Sequence, residues 1–224
     1  MHKCIKLFLL MLSIVGVFLI YKFVYKKGYN YVVIGNDYTS SMVKGMHYND
    51  YVKEYLIEHD LLKSYSDDFS GRNYQISELL KDIKNNEFIT KDGYSVSIKK
   101  TLRESDVVVL SLEIKDFLDI NRNLKIDKIN CFKQIDLRMI EINKLLKEIK
   151  KYAKKNLILI GVIYKDGIVN ELDDIIKYIN YNLEDLTDNL DINFINPNDM
   201  LFDLSKSLTD KECQWLAKLI INYL

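Results

Sequence analysis

The chain has 224 residues with 32 basic and 32 acidic side chains, and this neutrality argues against a nucleic-acid binder, which carries a basic excess or stripe. The single proline, the 16 tyrosines and the many Lys, Asn and Ile residues read as compositional bias and point to no function. A hydrophobic share of 48% supports one good-sized core, and the length beyond the N-terminus suits one domain.

Leu7 to Val24 is apolar apart from Ser13, Gly16, Tyr21 and Lys22, with Lys3 and Lys6 before it and Lys26 and Lys27 after it. A helix needs about 20 apolar residues to cross a bilayer. A cleaved signal peptide would place small residues of the A-x-A kind after the run, and none follows. A lipoprotein signal would put its cysteine after the run, whereas Cys4 precedes it. A core helix without a polar face does not suit a small domain. The expectation is an uncleaved single-span anchor over residues 1–27 and an extracytoplasmic domain over 28–224. The positive-inside count does not itself fix the orientation.

Tyr31–Gly35 reads as a buried strand that breaks into a polar turn carrying Asn36, Asp37 and Tyr38. Such strand ends are where α/β proteins place ligands and nucleophiles. Tyr48–His59 has its apolar and aromatic residues at amphipathic-helix spacing. Ser64–Phe69 fits a short edge strand ending at Ser70-Gly71, and Tyr74–Asn85 a helix. Asn86–Arg103 reads as a polar excursion with one alternating piece, Tyr94–Ile98, and a turn at Lys91-Asp-Gly93. Asp106–Leu112 is a continuous β-branched run of the kind buried in parallel sheets. Ile129–Lys154 is a long helical pattern, Asn156–Ile163 a buried strand, Val169–Leu186 a helix and Asp191–Ile195 a short strand. Thr209 is placed to cap a closing helix over Asp210–Tyr223, with Trp215 on its core stripe. Strands alternating with helices give a parallel sheet covered on both faces, so the expected fold is a three-layer α/β/α sandwich of flavodoxin-like connectivity.

Several chemistries lack their marks. No strand is followed by G-x-x-x-x-G-K-[ST], G-x-G-x-x-G or G-x-S-x-G, and no His/Cys cluster has metal-ligand spacing, so neither a cofactor nor a metal is expected. Cys4, Cys131 and Cys213 form no paired framework, leaving a Cys131–Cys213 bridge or two inert thiols. The histidines are His2, His47 and His59.

The strand Tyr31-Val-Val-Ile-Gly35, the helix Tyr48-Asn-Asp-Tyr-Val-Lys-Glu-Tyr-Leu56, Asp68-Phe-Ser-Gly71, Ser77-Glu-Leu-Leu80, Asp106-Val-Val-Val-Leu-Ser111 and Leu208-Thr-Asp210 resemble, in order, the SGNH/GDSL hydrolases. The likeness spans about Tyr31 to the C-terminus and is strongest to membrane-anchored or secreted bacterial members. It implies a flavodoxin-like domain that hydrolyses esters, often acyl groups on lipids or on cell-wall and surface polysaccharides.

The resemblance also places the family's functional positions. Its first block, Gly-Asp-Ser with Ser as nucleophile, reads Gly35-Asn36-Asp37, so Asp37 stands where the Ser belongs. The second block's oxyanion glycine matches Gly71. The third block, Gly-x-Asn-Asp, reads Glu113-Ile114-Lys115-Asp116, with Lys115 in place of the oxyanion Asn. The fourth, Asp-x-x-His, falls on Asp203 to Ser207, with Ser207 at the His position and no histidine after His59.

A serine or water nucleophile at neutral pH needs a positioned base, and imidazole has the pKa for that task. Nucleophile, base and one oxyanion donor are thus all replaced. Ser40 and Ser41 lie several residues past the strand end, where an error of about 1 Å already costs about 10²-fold. The expectation is a membrane-anchored pseudoenzyme that binds an ester, lipid or glycan ligand or a membrane protein partner. In it Asp37 and Lys115 form an ion pair across the old pocket, lined by Asn36, Tyr38, Arg72, Glu113 and Asp116. The rival is an active ester hydrolase in which carboxylates around Asp37 do the chemistry. His47, near the turn in sequence, fits a surface or capping role or entry into the pocket. Arg72 fits an anionic group at the rim or simple solvation.

Overall fold

The computed structural model describes Met11 and residues 28–36, 46–71, 75–91, 93–118, 127–163, 170–197 and 208–224. Strand β1 (Tyr29–Asn36) leads to helix α1 (Tyr48–Glu58), then β2 (Leu62–Gly71) and α2 (Ile76–Asn85). A hairpin of β3 (Phe88–Lys91) and β4 (Tyr94–Ser97) and the short α3 (Ile98–Glu104) precede β5 (Val107–Ser111) and a 3-10 turn at Ile114–Asp116. The long α4 (Lys128–Lys150), β6 (Asn156–Ile160), α5 (Asn170–Leu190), β7 (Asn193–Ile195) and α6 (Asp210–Ile221) complete the order.

The main sheet has five strands in the order β2-β1-β5-β6-β7, and every pairing is parallel. Strand alternation divides its side chains between two cores. Val32, Ile34, Val108, Leu110, Leu157 and Leu159 pack under α2, α3, α4 and α5. Tyr31, Val33, Val107, Val109, Ile158 and Ile160 pack under α1 and α6. The expected three-layer α/β/α sandwich with a flavodoxin-like parallel sheet is therefore present. Trp215 is partly buried against the second core, as its spacing implies.

The caps follow from sequence. Thr209 Oγ1 accepts from Glu212 N–H at 3.4 Å, while Glu212 Oε2 accepts from Thr209 N–H at 2.6 Å, closing a capping box at α6. His47 occupies the N-cap of α1, and its N–H donates to Asp50 Oδ2 at 2.9 Å, which fits the capping role.

Several boundaries differ from the sequence reading, among them the end of α4, at Lys150 rather than Lys154, and three have a clear physical reason. Asn86–Arg103 is not a plain excursion: it holds the hairpin and α3, whose N-cap Ser97 Oγ accepts from Lys100 N–H at 3.3 Å. A helix of 7 residues is too short to display a period, although Ile98 and Leu102 bury its inner face. Strand β6 stops at Ile160 rather than Ile163, because Asn180 of α5 takes over the backbone there. Its Oδ1 accepts from Val162 N–H at 2.7 Å and its Nδ2 donates to Val162 O at 3.0 Å. Helix α5 continues to Leu190 instead of Leu186, since Leu190 still packs on the core.

Cys131 and Cys213 are free thiols belonging to cores on opposite faces of the sheet, so the alternative of a bridge between them falls away. Among the described residues no helix is long and apolar enough to cross a membrane. The Leu7–Val24 segment lies outside them.

Candidate functional site

The sheet register brings three of the four blocks to one place. Gly35 pairs with Ser70 on one side and with Ser111 on the other, and Asn36 pairs with Gly71. The carboxyl ends of β1, β2 and β5 therefore stand side by side, at the edge where α/β proteins hold ligands. Gly35 is required by geometry: its φ is +87°, and a Cβ there would lie 2.7 Å from both Leu110 Cδ1 and Ser111 O. Gly71 is the opposite case, since among the described residues a Cβ on it would meet nothing within 4 Å.

Beyond Ser111 the chain turns through Glu113 into the 3-10 turn that carries Lys115 and Asp116. Asp116 Oδ2 accepts from Glu113 N–H at 2.7 Å, which ties the turn shut. Asp116 Oδ1 is buried and has no hydrogen-bond partner of good geometry among the described residues. Burial pushes the Asp116 carboxyl up to about 6, and the Glu113 carboxylate adds to the rise. The backbone N–H groups of Glu113 and Ile76 and the Lys115 ammonium pull the other way without overcoming it. A carboxyl held near neutrality is the type of group that could exchange a proton.

Lys115 Nζ lies 2.7 Å from Glu113 Oε2, with Glu113 almost fully buried and the lysine about a third exposed. Where the resemblance puts an oxyanion-holding amide, the chain thus carries an ammonium engaged by a carboxylate from its own turn. The expected partner, Asp37, lies outside the described residues, as do Tyr38, Arg72 and Ser207; of Asn36 only the backbone is described. The described residues bring Gly71 to the Asn36 end of β1 and place Glu113, Lys115 and Asp116 just past the neighbouring strand.

The closing helix starts at this end of the sheet, since the residues that follow it reach the other: Tyr29 Oη donates to Leu224 O and Asn156 Nδ2 to Tyr223 O. Thr209 begins α6, and the Tyr51 hydroxyl in the first turn of α1 donates to the Asp210 carboxylate in the first turn of α6. His47, one residue ahead of α1, sits at this end of the layer, with Nδ1 buried and without a partner among the described residues. Sequence reasoning had no signal for two features: the Glu113–Lys115 pair, which depends on how the turn winds, and the raised Asp116 carboxyl, which depends on burial. Among the described residues no group of three or more His, Cys, Asp and Glu could hold a metal ion.

Solved structures match this architecture throughout. A lipase from a goat rumen metagenome is 16% identical, with a TM-score of 0.63 over 86% of this chain and 97% of that one. A catalytic variant of an acetylxylan esterase from Geobacillus stearothermophilus is 13% identical, with a TM-score of 0.62 over 86% of this chain and 92% of that one. Another acetyl xylan esterase is 15% identical, with a TM-score of 0.56 over 86% and 98%. The fold is that of the SGNH/GDSL-type hydrolases. At these identities the likeness speaks for the SGNH/GDSL fold alone, and the chemistry has to be argued from the residues at the strand ends. The sequence itself matches no family model and no curated protein.

Proposed function

We propose that this chain is a catalytically silent SGNH/GDSL-fold protein, held at a membrane by residues 1–27, whose extracytoplasmic domain binds rather than hydrolyses. The observation that carries this reading is the Lys115–Glu113 ion pair on the turn after β5. An oxyanion hole needs neutral or cationic donors aimed at a developing charge and free to meet it. Here the only side-chain cation that the resemblance puts at that position is engaged by a buried carboxylate. The replaced nucleophile and base support the same reading: Asp37 stands for the serine, Ser207 for the histidine, and no imidazole follows His59. With the serine and the histidine both replaced, the pair by which an imidazole activates a hydroxyl is missing from these positions.

What survives is the glycine at the end of β2, Gly71, where among the described residues nothing lies within 4 Å of an added Cβ. The fold neighbours are named as a lipase and acetylxylan esterases, which makes an ester, a lipid or a surface glycan the ligand class to try, with a membrane protein partner as the other source. The test is turnover of a chromogenic short-chain ester by the full chain in detergent. The expected result is no hydrolysis above buffer. Turnover that Asp37→Ala abolishes would overturn the reading in favour of a carboxylate-based hydrolase.

A further inference from the structure

We infer that the edge of the domain opposite the candidate site is a lipid-docking face: the β3–β4 hairpin and the basic helix ends around it seat on an anionic bilayer. This rests on the membrane-anchor reading of residues 1–27.

The argument begins with reach. The apolar segment ends at Val24, and β1 begins at Tyr29. Five residues span at most about 18 Å in any conformation. The start of β1 is thus tied close to the bilayer, and the candidate site, at the other end of the strand, stands about 25 Å farther out.

The same edge gathers the hairpin. Asn30, the second residue of β1, donates through Nδ2 to Glu104 O at the end of α3 at 2.7 Å. Its backbone N–H donates to Asp106 Oδ2 at 2.9 Å. Helix α3 grows directly out of the hairpin, with Ile98 N–H donating to Glu87 O at 3.1 Å, and Lys99 Nζ reaches Lys84 O at the end of α2 at 3.0 Å. Lys99 and Arg103 lie over the Tyr152 ring just past the end of α4, at 5.5 and 5.2 Å.

On this edge the hairpin exposes two aromatic side chains, Phe88 at 62% and Tyr94 at 78%. Phe88 pairs with Ser97 and Tyr94 with Lys91, an odd offset along the ladder, so the two rings leave opposite faces of the hairpin. A protein partner would cover one face. A hairpin with an aromatic on each face suits the membrane interface, where Tyr and other aromatic side chains concentrate.

Charge agrees with this. Residues 81–106, which carry the hairpin and the helix ends beside it, hold six basic and five acidic side chains, and residues 147–155 at the end of α4 hold five basic and one acidic. Lys100 lies 4.0 Å from Glu104 and Lys151 2.5 Å from Glu148, leaving a basic excess in an otherwise neutral chain. Such clusters beside a membrane segment are drawn to anionic headgroups.

The test uses the full chain carrying Tyr94→Trp, reconstituted into vesicles of equimolar phosphatidylcholine and phosphatidylglycerol that contain shallow spin-labelled lipid. The emission of Trp215 is subtracted using the unsubstituted chain. The expected result is quenched, blue-shifted emission from position 94, lost in vesicles of phosphatidylcholine alone. Unquenched emission in the anionic vesicles overturns the proposal, as does equal quenching without phosphatidylglycerol. Alkaline extraction of membranes from expressing cells tests the anchor separately. If extraction releases the chain, the anchor reading fails, and quenching of chain added to preformed anionic vesicles then decides the docking face by itself.

Discussion

Lys115 Nζ and Glu113 Oε2, 2.7 Å apart across two residues of one turn, occupy the place where the resemblance puts an amide for an oxyanion. The lysine is about a third exposed, so solvent screens the pair, and its contribution falls nearer that of a surface bridge than of a buried one. Lys115→Asn, which restores the family's residue type, is expected to lower stability by about 1 kcal/mol by leaving Glu113 without this partner. Adding Glu113→Gln should recover most of that loss. Urea unfolding of the two single variants and the double variant measures the coupling. None of the three is expected to turn over an ester, because nucleophile and base stay replaced.

Asp116 supplies a pH signature. Its folded carboxyl is held at about 6 against an ordinary 3.8, so the folded state binds this proton more tightly than the unfolded state does. The group therefore costs stability above about pH 6. The cost is relieved as pH falls through 6 and is gone below 3.8. A rise of this size corresponds to about 3 kcal/mol at most. Asp116→Asn keeps an acceptor for Glu113 N–H and removes the charge. It is expected to unfold at a higher temperature than the parent at pH 8, by an amount that shrinks steadily between pH 6 and pH 4. A constant difference across that range would show that Asp116 is not the titrating group.

The sequence reached the fold because the signals that specify it are local. The apolar runs at Tyr31–Gly35 and Val107–Ser111 mark the central strands, and the Thr209–Glu212 box marks the start of α6. Helix α3 escaped because 7 residues cannot show a period, and the end of β6 escaped because Asn180, eighteen positions later, claims the backbone of Val162. The site divided along the same line. That Gly35, Gly71 and the Glu113–Asp116 turn belong to one edge was legible from block order. That Lys115 pairs with Glu113, and that the Asp116 carboxyl is raised, depend on turn geometry and burial, which sequence spacing does not encode.

Asn180 is 1% exposed and satisfies both backbone groups of Val162. Asn180→Leu leaves a buried N–H and a buried C=O without partners, at a cost of about 2–5 kcal/mol. Gly161 is held by the same arrangement: a Cβ there would lie 2.7 Å from Asn180 Oδ1 and 2.9 Å from Pro197 Cδ. Gly161→Ala should therefore destabilise by about 1–3 kcal/mol. Because both substitutions act through Asn180, the double variant should lose less than the sum of the two, which urea titration can read directly.

The two glycines of the site edge should respond in opposite directions. Gly35 has φ +87° and a backbone oxygen, Ser111 O, 2.7 Å from any Cβ, so Gly35→Ala pairs backbone strain with a clash that cannot relax by a side-chain rotation. A loss of about 2–4 kcal/mol is expected, and with it displacement of the β1–β5 ladder at its carboxyl end. Among the described residues Gly71 meets neither constraint, so Gly71→Ala should leave stability unchanged or raise it by up to about 1 kcal/mol through the unfolded chain. If a ligand enters beside Gly71, the added methyl group occupies its space. The variant then keeps its melting temperature while losing any thermal shift that an ester of the proposed ligand class gives the parent. A melting temperature that falls as far for Gly71→Ala as for Gly35→Ala would show that Gly71 is held for folding and not for an open cleft.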